Sequence, residues 1–271
     1  MEAEIQPRDI EVPHDVVAPA DQRLPVVVAS PHSGRHYPPA FVAESRLDPL
    51  NLRRSEDSFV DELLAAAPEL GSPLLRAHFP RAYIDVNREP FEFDPRMFAD
   101  PLPGYVNTAS PRVAAGLGTI ARVVASGADI YRDKLRFDEA LWRLRHYYWP
   151  YHATLRALIA ETEARFGGCI LLDGHSMPSV GGPTDRDAGN LRVDFVLGDC
   201  HGTTCAGAVT EAAAGELMRR GYHVRRNSPY AGGFVTRHYG RPAQGVHALQ
   251  IEVNRALYMD ETQVRRGPGL P

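Results

Sequence analysis

Two histidines in this 271-residue sequence stand where a side chain can meet a ligand. The stretch Cys169-Ile170-Leu171-Leu172-Asp173-Gly174-His175-Ser176-Met177-Pro178 opens with four apolar residues and no alternation. That pattern predicts a strand covered on both faces, and ligands collect at the C-terminal ends of such strands in open α/β sheets. A second β-branched run, Leu24 to Ser30, leads into Pro31-His32-Ser33-Gly34, so two buried strands each deliver a His-Ser pair. Asp57 lies in Ser55-Glu56-Asp57, and Glu252 lies in the alternating run Val246 to Arg255, on one face with Gln250 and Asn254. His32, Asp57 and His175 can give a zinc ion three ligands and leave a fourth position open, while Glu252 can take a proton from a water there. These side chains are scattered and no HExxH run is present. Surface histidines and first-turn helix carboxylates account for them equally well one at a time.

Other polar residues carry the same double reading. Asn87-Arg88 closes the segment Arg81-Ala82-Tyr83-Ile84-Asp85-Val86, where Tyr83 to Val86 is expected as a strand; an acidic loop follows, to which Arg88 could form a solvated salt bridge. Tyr230-Ala231-Gly232-Gly233-Phe234-Val235-Thr236-Arg237-His238 reads as an anion site or as a hairpin with exposed Arg237 and His238. Ser33 and Ser176 lie outside any G-x-S-x-G run and read as turn serines. His146 and His152 fall on a helical pattern and are assigned to packing or surface. The glycines of 179–190 have neither phosphate-loop nor dinucleotide spacing, so that segment reads as a loop over a site.

The elements that would position these groups follow from periodicity and punctuation. Residues 1–23, with prolines and charges but no period, are expected to be an N-terminal surface arm, and 24–271 a single catalytic domain. Ser55 is expected to cap a helix carrying Phe59, Val60, Leu63 and Leu64 on one stripe, stopped by Pro68 and Gly71. Residues 96–118 should be mostly irregular, and 119–126 a short helix. One helical pattern runs from Phe137 to Phe166, with Pro150 expected to kink or divide it. A strand at 193–198, a helix capped by Thr203 or Thr204 and closed by Gly221, a strand at 222–226 and the strand at 246–255 complete an α/β chain.

Composition bounds the function. With 44% apolar and 24% charged residues and a net charge of -4, the chain has no footprint for nucleic acid, and Lys134 is its one lysine. No run approaches a membrane span, and the acidic start Met1-Glu2-Ala3-Glu4 lacks the features of a secretory signal, so a cytoplasmic protein without a membrane partner is expected. Cys169, Cys200 and Cys205 are read as free thiols.

Six segments, in order, carry a resemblance: Ser30-Pro31-His32-Ser33-Gly34, Ser55-Glu56-Asp57, Ile84-Asp85-Val86-Asn87-Arg88, Leu172-Asp173-Gly174-His175-Ser176, Thr236-Arg237-His238-Tyr239-Gly240 and Gln250-Ile251-Glu252-Val253-Asn254. Together they resemble the N-formylglutamate amidohydrolase (formylglutamate deformylase) family over about residues 24–262. That family is similar to the zinc carboxypeptidase and aspartoacylase group. The likeness implies an α/β fold of phosphorylase/hydrolase type, with a mixed, mostly parallel central sheet flanked by helices. It implies one Zn2+ ion on His32, Asp57 and His175. The wider group's His-x-x-Glu run is absent, since Arg35 stands at its last position, so Asp57 is chosen and Glu56 is the alternative. It further implies Glu252 as base and then acid, Asn87, Arg88 and Arg237 around the substrate carboxylates, and Arg81 or His238 beside the oxyanion. The implied reaction is hydrolysis of N-formyl-L-glutamate, a small-molecule partner, to formate and L-glutamate. A related amidase acting on another N-acyl amino acid, such as N-formylaspartate, is the alternative, and a non-catalytic binding module of the same fold is the rival from another class.

Overall fold

The computed structural model describes residues 10–182, 185 and 187–270, so residues 1–9 of the expected arm and 183, 184 and 186 of the expected loop lie outside it. The strands of its main sheet are β1 (His14–Val17), β2 (Val26–Ser30), β3 (Leu74–Ala77), β4 (Cys169–Met177), β5 (Phe195–Gly198), β6 (Val224–Arg226) and β7 (Val246–Asn254). They form one seven-stranded sheet in the order β1-β3-β2-β4-β7-β5-β6. β2/β3, β2/β4, β4/β7 and β5/β6 are parallel, and β1/β3 and β5/β7 antiparallel. This is the mixed, mostly parallel sheet expected.

The helices are α1 (Pro39–Glu44), α2 (Pro49–Arg53), α3 (Val60–Leu63), α4 (Pro111–Ala114), α5 (Phe137–Arg143), α6 (Trp149–Phe166), α7 (Gly207–Arg219) and α8 (Phe234–Tyr239). They cover both faces of the sheet. Leu171 and Ala248 share a core with Tyr151, Leu155 and Ile159 of α6, one i, i+4, i+8 stripe. Leu249 packs on the opposite face with Leu197 and Ala214 of α7. Each large apolar side chain fully buried in these layers stabilises the fold by about 1.5–3 kcal/mol. Among the described residues no helix is long and apolar enough to cross a membrane.

Several local expectations need correction. Part of the expected arm is ordered as β1, an edge strand pairing His14 with Ala77. Ser55 does not cap a helix: its hydroxyl accepts from the Ala125 amide (3.1 Å), and α3 begins only after Phe59, whose φ is 66°. Tyr83 to Val86 is not a strand. The Tyr83 and Ile84 amides turn back to Pro80 O, the Asp85 amide reaches Thr119 O, and Arg143 donates to Tyr83 O (3.0 Å). Its apolar residues are buried within turns. Residues 119–126 are not helical, because the Arg122 and Val123 amides fold back onto Gly116 O. α7 starts at Gly207, since the Thr204 hydroxyl is spent on Ala248 O. The long helical pattern is divided as expected: a π-turn at Leu144–Tyr148 separates α5 from α6 just ahead of Pro150, whose missing amide interrupts the regular ladder there.

Candidate active site

Sheet register and two tight turns bring the candidate side chains together. Successive residues of a strand point to opposite faces, so Asp173 and His175 share the α6 face. In β4/β7 pairing His175 lies opposite Glu252, and Asp173 opposite Gln250. His32 stands two residues past the end of β2. Its turn is tied by Ser30 Oγ to Ser33 Oγ (2.7 Å), and it presses on the end of β3 so closely that a Cβ at Gly34 would lie 2.2 Å from Phe79 O. The Asp57 amide donates to His32 O (3.0 Å), which fixes the third residue against the first.

Asp57 Oδ2 lies 3.2 Å from His32 Nδ1 and 2.9 Å from His175 Nδ1. One ligand atom from each residue falls within 4.8 Å of the others, and all three residues are buried. Behind each donor stands a second group. His32 Nε2 is 2.7 Å from Asp85 Oδ1, and His175 Nε2 is 2.9 Å from Asp173 Oδ2. Asp57 Oδ1 accepts from Ser176 Oγ and Arg255 Nη2, each at 3.3 Å. Carboxylates behind ligating imidazoles fix the ring and raise its basicity, so the two Nδ1 atoms and one carboxylate oxygen could hold a metal ion with an open position.

The electrostatics agree with this geometry. Burial opposes charge on Asp57, but hydrogen bonds from His175 and His32 hold its carboxyl well below the usual range. Burial likewise opposes charge on Asp85, and Arg88, His32 and Arg81 hold its pKa down. His175 is desolvated too, yet Asp173 and Asp57 keep its pKa well above the ordinary imidazole value. Glu252 goes the other way. Burial pushes it up to about 7, against the charges of His175, Arg81 and Arg255 and with that of Asp57. A carboxyl near neutrality can both take and return a proton. Gln250 Nε2 donates to Glu252 Oε1 (2.8 Å), which orients it.

The remaining sequence candidates divide. Arg81 belongs to the group, with Nη2 2.8 Å from Asp85 Oδ2. Arg88 donates from Nε to Leu117 O (2.9 Å) and from Nη1 to Asn87 O (2.8 Å), and its Nη2 is 3.6 Å from Asp85. With five N–H bonds, it keeps donors for a ligand. Asn87 is committed on both sides: Nδ2 faces His175 Nε2 at 3.2 Å, and Oδ1 accepts the Val235 amide at 2.8 Å. A Cβ at Gly233 would lie 2.2 Å from that oxygen, which is why the Gly-Gly pair precedes α8. That segment is therefore a helix start and not a hairpin; Arg237 and His238 are exposed on α8. His238 is not brought to the acid–imidazole group. It stacks on Phe234 (4.8 Å), and burial with Arg156 and Arg241 lowers its pKa. Glu56 also turns away, to the Tyr37 and Ser58 hydroxyls (both 2.7 Å) and Arg53. His152 packs as expected, between Val86 O (2.9 Å) and Tyr239 OH (2.8 Å).

Four residues gain roles that sequence reasoning did not assign: Asp85, Asp173, Ser176 and Arg255. For Asp173 a signal existed, since an acid two residues before a histidine in a strand shares its face. For Asp85 and Arg255 none did, because their partners are distant in the chain.

Comparison with known proteins adds independent observations. The profile of a family described as N-formylglutamate amidohydrolase matches residues 24–259. A Pseudomonas aeruginosa protein named N-formylglutamate deformylase is 33% identical over 244 residues, covering 88% of this chain and 84% of its own. A Pseudomonas putida protein of that name is 31% identical over 243 residues, covering 89% and 84%. The crystal structure of N-formylglutamate amidohydrolase from Ralstonia eutropha JMP134 is similar with a TM-score of 0.87 at 38% identity, over 95% of this chain and 91% of that one.

Proposed function

Because the chain belongs to the N-formylglutamate amidohydrolase family, we propose that it hydrolyses the formamide bond of N-formyl-L-glutamate, releasing formate and L-glutamate. The observation that carries this reading is the meeting of both Nδ1 atoms on Asp57 Oδ2, with Glu252 opposite the second histidine in the sheet. The relatives in Pseudomonas carry the activity in their names and align over most of this chain.

His32, Asp57 and His175 would hold the metal, with zinc the ion best matched to two imidazoles and a carboxylate. A bound zinc ion supplies a water of lowered pKa and a polarised formyl carbonyl. The chain's own residues do the rest. Glu252 takes a proton from the attacking water, held in place by Gln250, and returns it to the departing amino nitrogen. Arg81 offers N–H donors to the formyl oxygen as negative charge builds there. Asn87 anchors the His175 ring to the start of α8, and Arg88 and Arg237 provide donors for the substrate's carboxylates. No covalent intermediate with the protein is required, since formate leaves directly once the C–N bond breaks.

The test is turnover of N-formyl-L-glutamate, N-formyl-L-aspartate and N-acetyl-L-glutamate by metal-loaded and chelator-treated enzyme. We expect formylglutamate to be fastest and chelation to abolish all three rates. A higher kcat/KM for either competitor would overturn the substrate, and full activity after verified metal removal would overturn the metal.

A further inference from the structure

Among the arginines of this region, Arg112 has no carboxylate bonded to its side chain among the described residues. Arg81 and Arg88 share Asp85, and Arg255 holds Asp57. Arg112 is half-buried and has no side-chain hydrogen bond or ion pair among the described residues. Its backbone is nevertheless firmly placed. Ser110 Oγ accepts the Val113 amide (3.1 Å) at the start of α4, the Leu117 amide donates to Arg112 O (2.8 Å), and Leu117 O in turn accepts Arg88 Nε. Segment 110–117 is thus moored to Arg88.

On the other side, Asn87 moors α8. Asn87 Oδ1 accepts the Val235 amide and Asn87 O the Phe234 amide (3.4 Å), which brings Arg237 to the same rim. Arg237 is exposed, and among the described residues its side chain donates only from Nη1 to Gly232 O, at 3.3 Å. Burial and then the Arg237 guanidinium lower the pKa of Arg112, with Arg81 adding to the effect and Glu92 and Asp85 opposing it. Cations held together in a partly desolvated place, with Glu92 and Asp85 nearby but neither of them bonded to Arg112, favour a ligand that brings negative charge.

We propose that Arg112, together with Arg237, grips the distal, side-chain carboxylate of the substrate and so sets the preference for an acidic residue. The proposal rests on the deformylase reading above. Arg81 and Arg88 are the inner arginines, 23% and 12% exposed and joined to Asp85 behind His32, so they adjoin the reacting carbon and the nearby α-carboxylate. The outer pair suits a carboxylate two methylenes farther out. Each guanidinium–carboxylate contact is charge-assisted and directional.

The experiment compares N-formyl-L-glutamate with N-formyl-L-norvaline, which replaces the distal carboxylate by a methyl group. For Arg112→Gln we expect kcat/KM on formylglutamate to fall about 10- to 100-fold, mostly through KM, and to fall less than about threefold on formylnorvaline. Arg112→Lys should recover part of the loss. Equal losses on both substrates would overturn the assignment, because a misplaced loop penalises them alike. If the wild-type enzyme hydrolyses neither substrate, the deformylase reading itself has failed and takes this proposal with it, an outcome distinct from equal losses.

Discussion

Behind the corner formed by His32, Asp57 and His175 stands a second layer, with Asp85, Asp173, Ser176 and Arg255 each bonded to the back of one donor. At the rim a few residues away, Arg112 has no such support and Arg237 holds one carbonyl. The corner is built on strand ends, where register fixes side chains and burial makes every unmet polar group costly. The rim is built on two short helices, α4 and α8, and the loops around them, where donors remain for a ligand. The contrast separates two tasks. On the proposed reading, the sheet would hold the reacting groups still and the rim would choose what is presented to them.

The contrast can be broken most sharply at Glu252. Glu252→Gln keeps size and the cross-strand position but cannot accept a proton; kcat should fall about 10²–10⁴-fold while metal content per chain stays near one. Metal analysis beside steady-state kinetics checks both parts, and near-normal turnover would remove Glu252 from the mechanism. Next in size is Asp173→Asn, which leaves every supposed ligand in place and weakens only the group behind His175. Metal affinity, read by chelator competition, should fall about 10–100-fold. An unchanged affinity would mean that the second layer is packing alone.

The smallest effect concerns stability. His152 lies beneath both parts, bonded to Val86 O and Tyr239 OH, and burial lowers its pKa from 6.5 to about 3. Its folded form therefore prefers neutrality. The contribution is complete above the unfolded value of 6.5 and is lost as pH falls from there towards 3. By linkage the loss is ~1.4 kcal/mol per pH unit, or ~2 kcal/mol at pH 5. Urea titrations at pH 7 and pH 5 should show the wild type losing about that much more than His152→Gln, and parallel losses would contradict it.

Much of the corner was legible before any fold was known. Unalternating apolar runs marked β2 and β4 and placed His32 and His175 just past or at their ends, and the alternation of Gln250, Glu252 and Asn254 put Glu252 on one face of its strand. The rim was less legible. Tyr83 to Val86 imitates a strand because its side chains are buried, although its amides bond to Pro80 and Thr119. His238, beside Arg237 in the motif and expected with Arg81 as a candidate for the oxyanion, stacks on Phe234 instead. Arg112 stood in a stretch without periodicity or motif, and what distinguishes it is that no carboxylate is bonded to its side chain among the described residues.

The sequence by itself determined the strands β2, β4, β5, β6 and β7, the residue types at their ends and the family, because each depends on local pattern and on short motifs kept in order. Tertiary structure alone decided that Asp57 and not Glu56 meets both imidazoles, that Asp85 and Asp173 stand behind them, and that Arg112 has no bonded carboxylate among the described residues. Those outcomes depend on the register between strands and on contacts between residues tens to hundreds of positions apart, which no local pattern encodes.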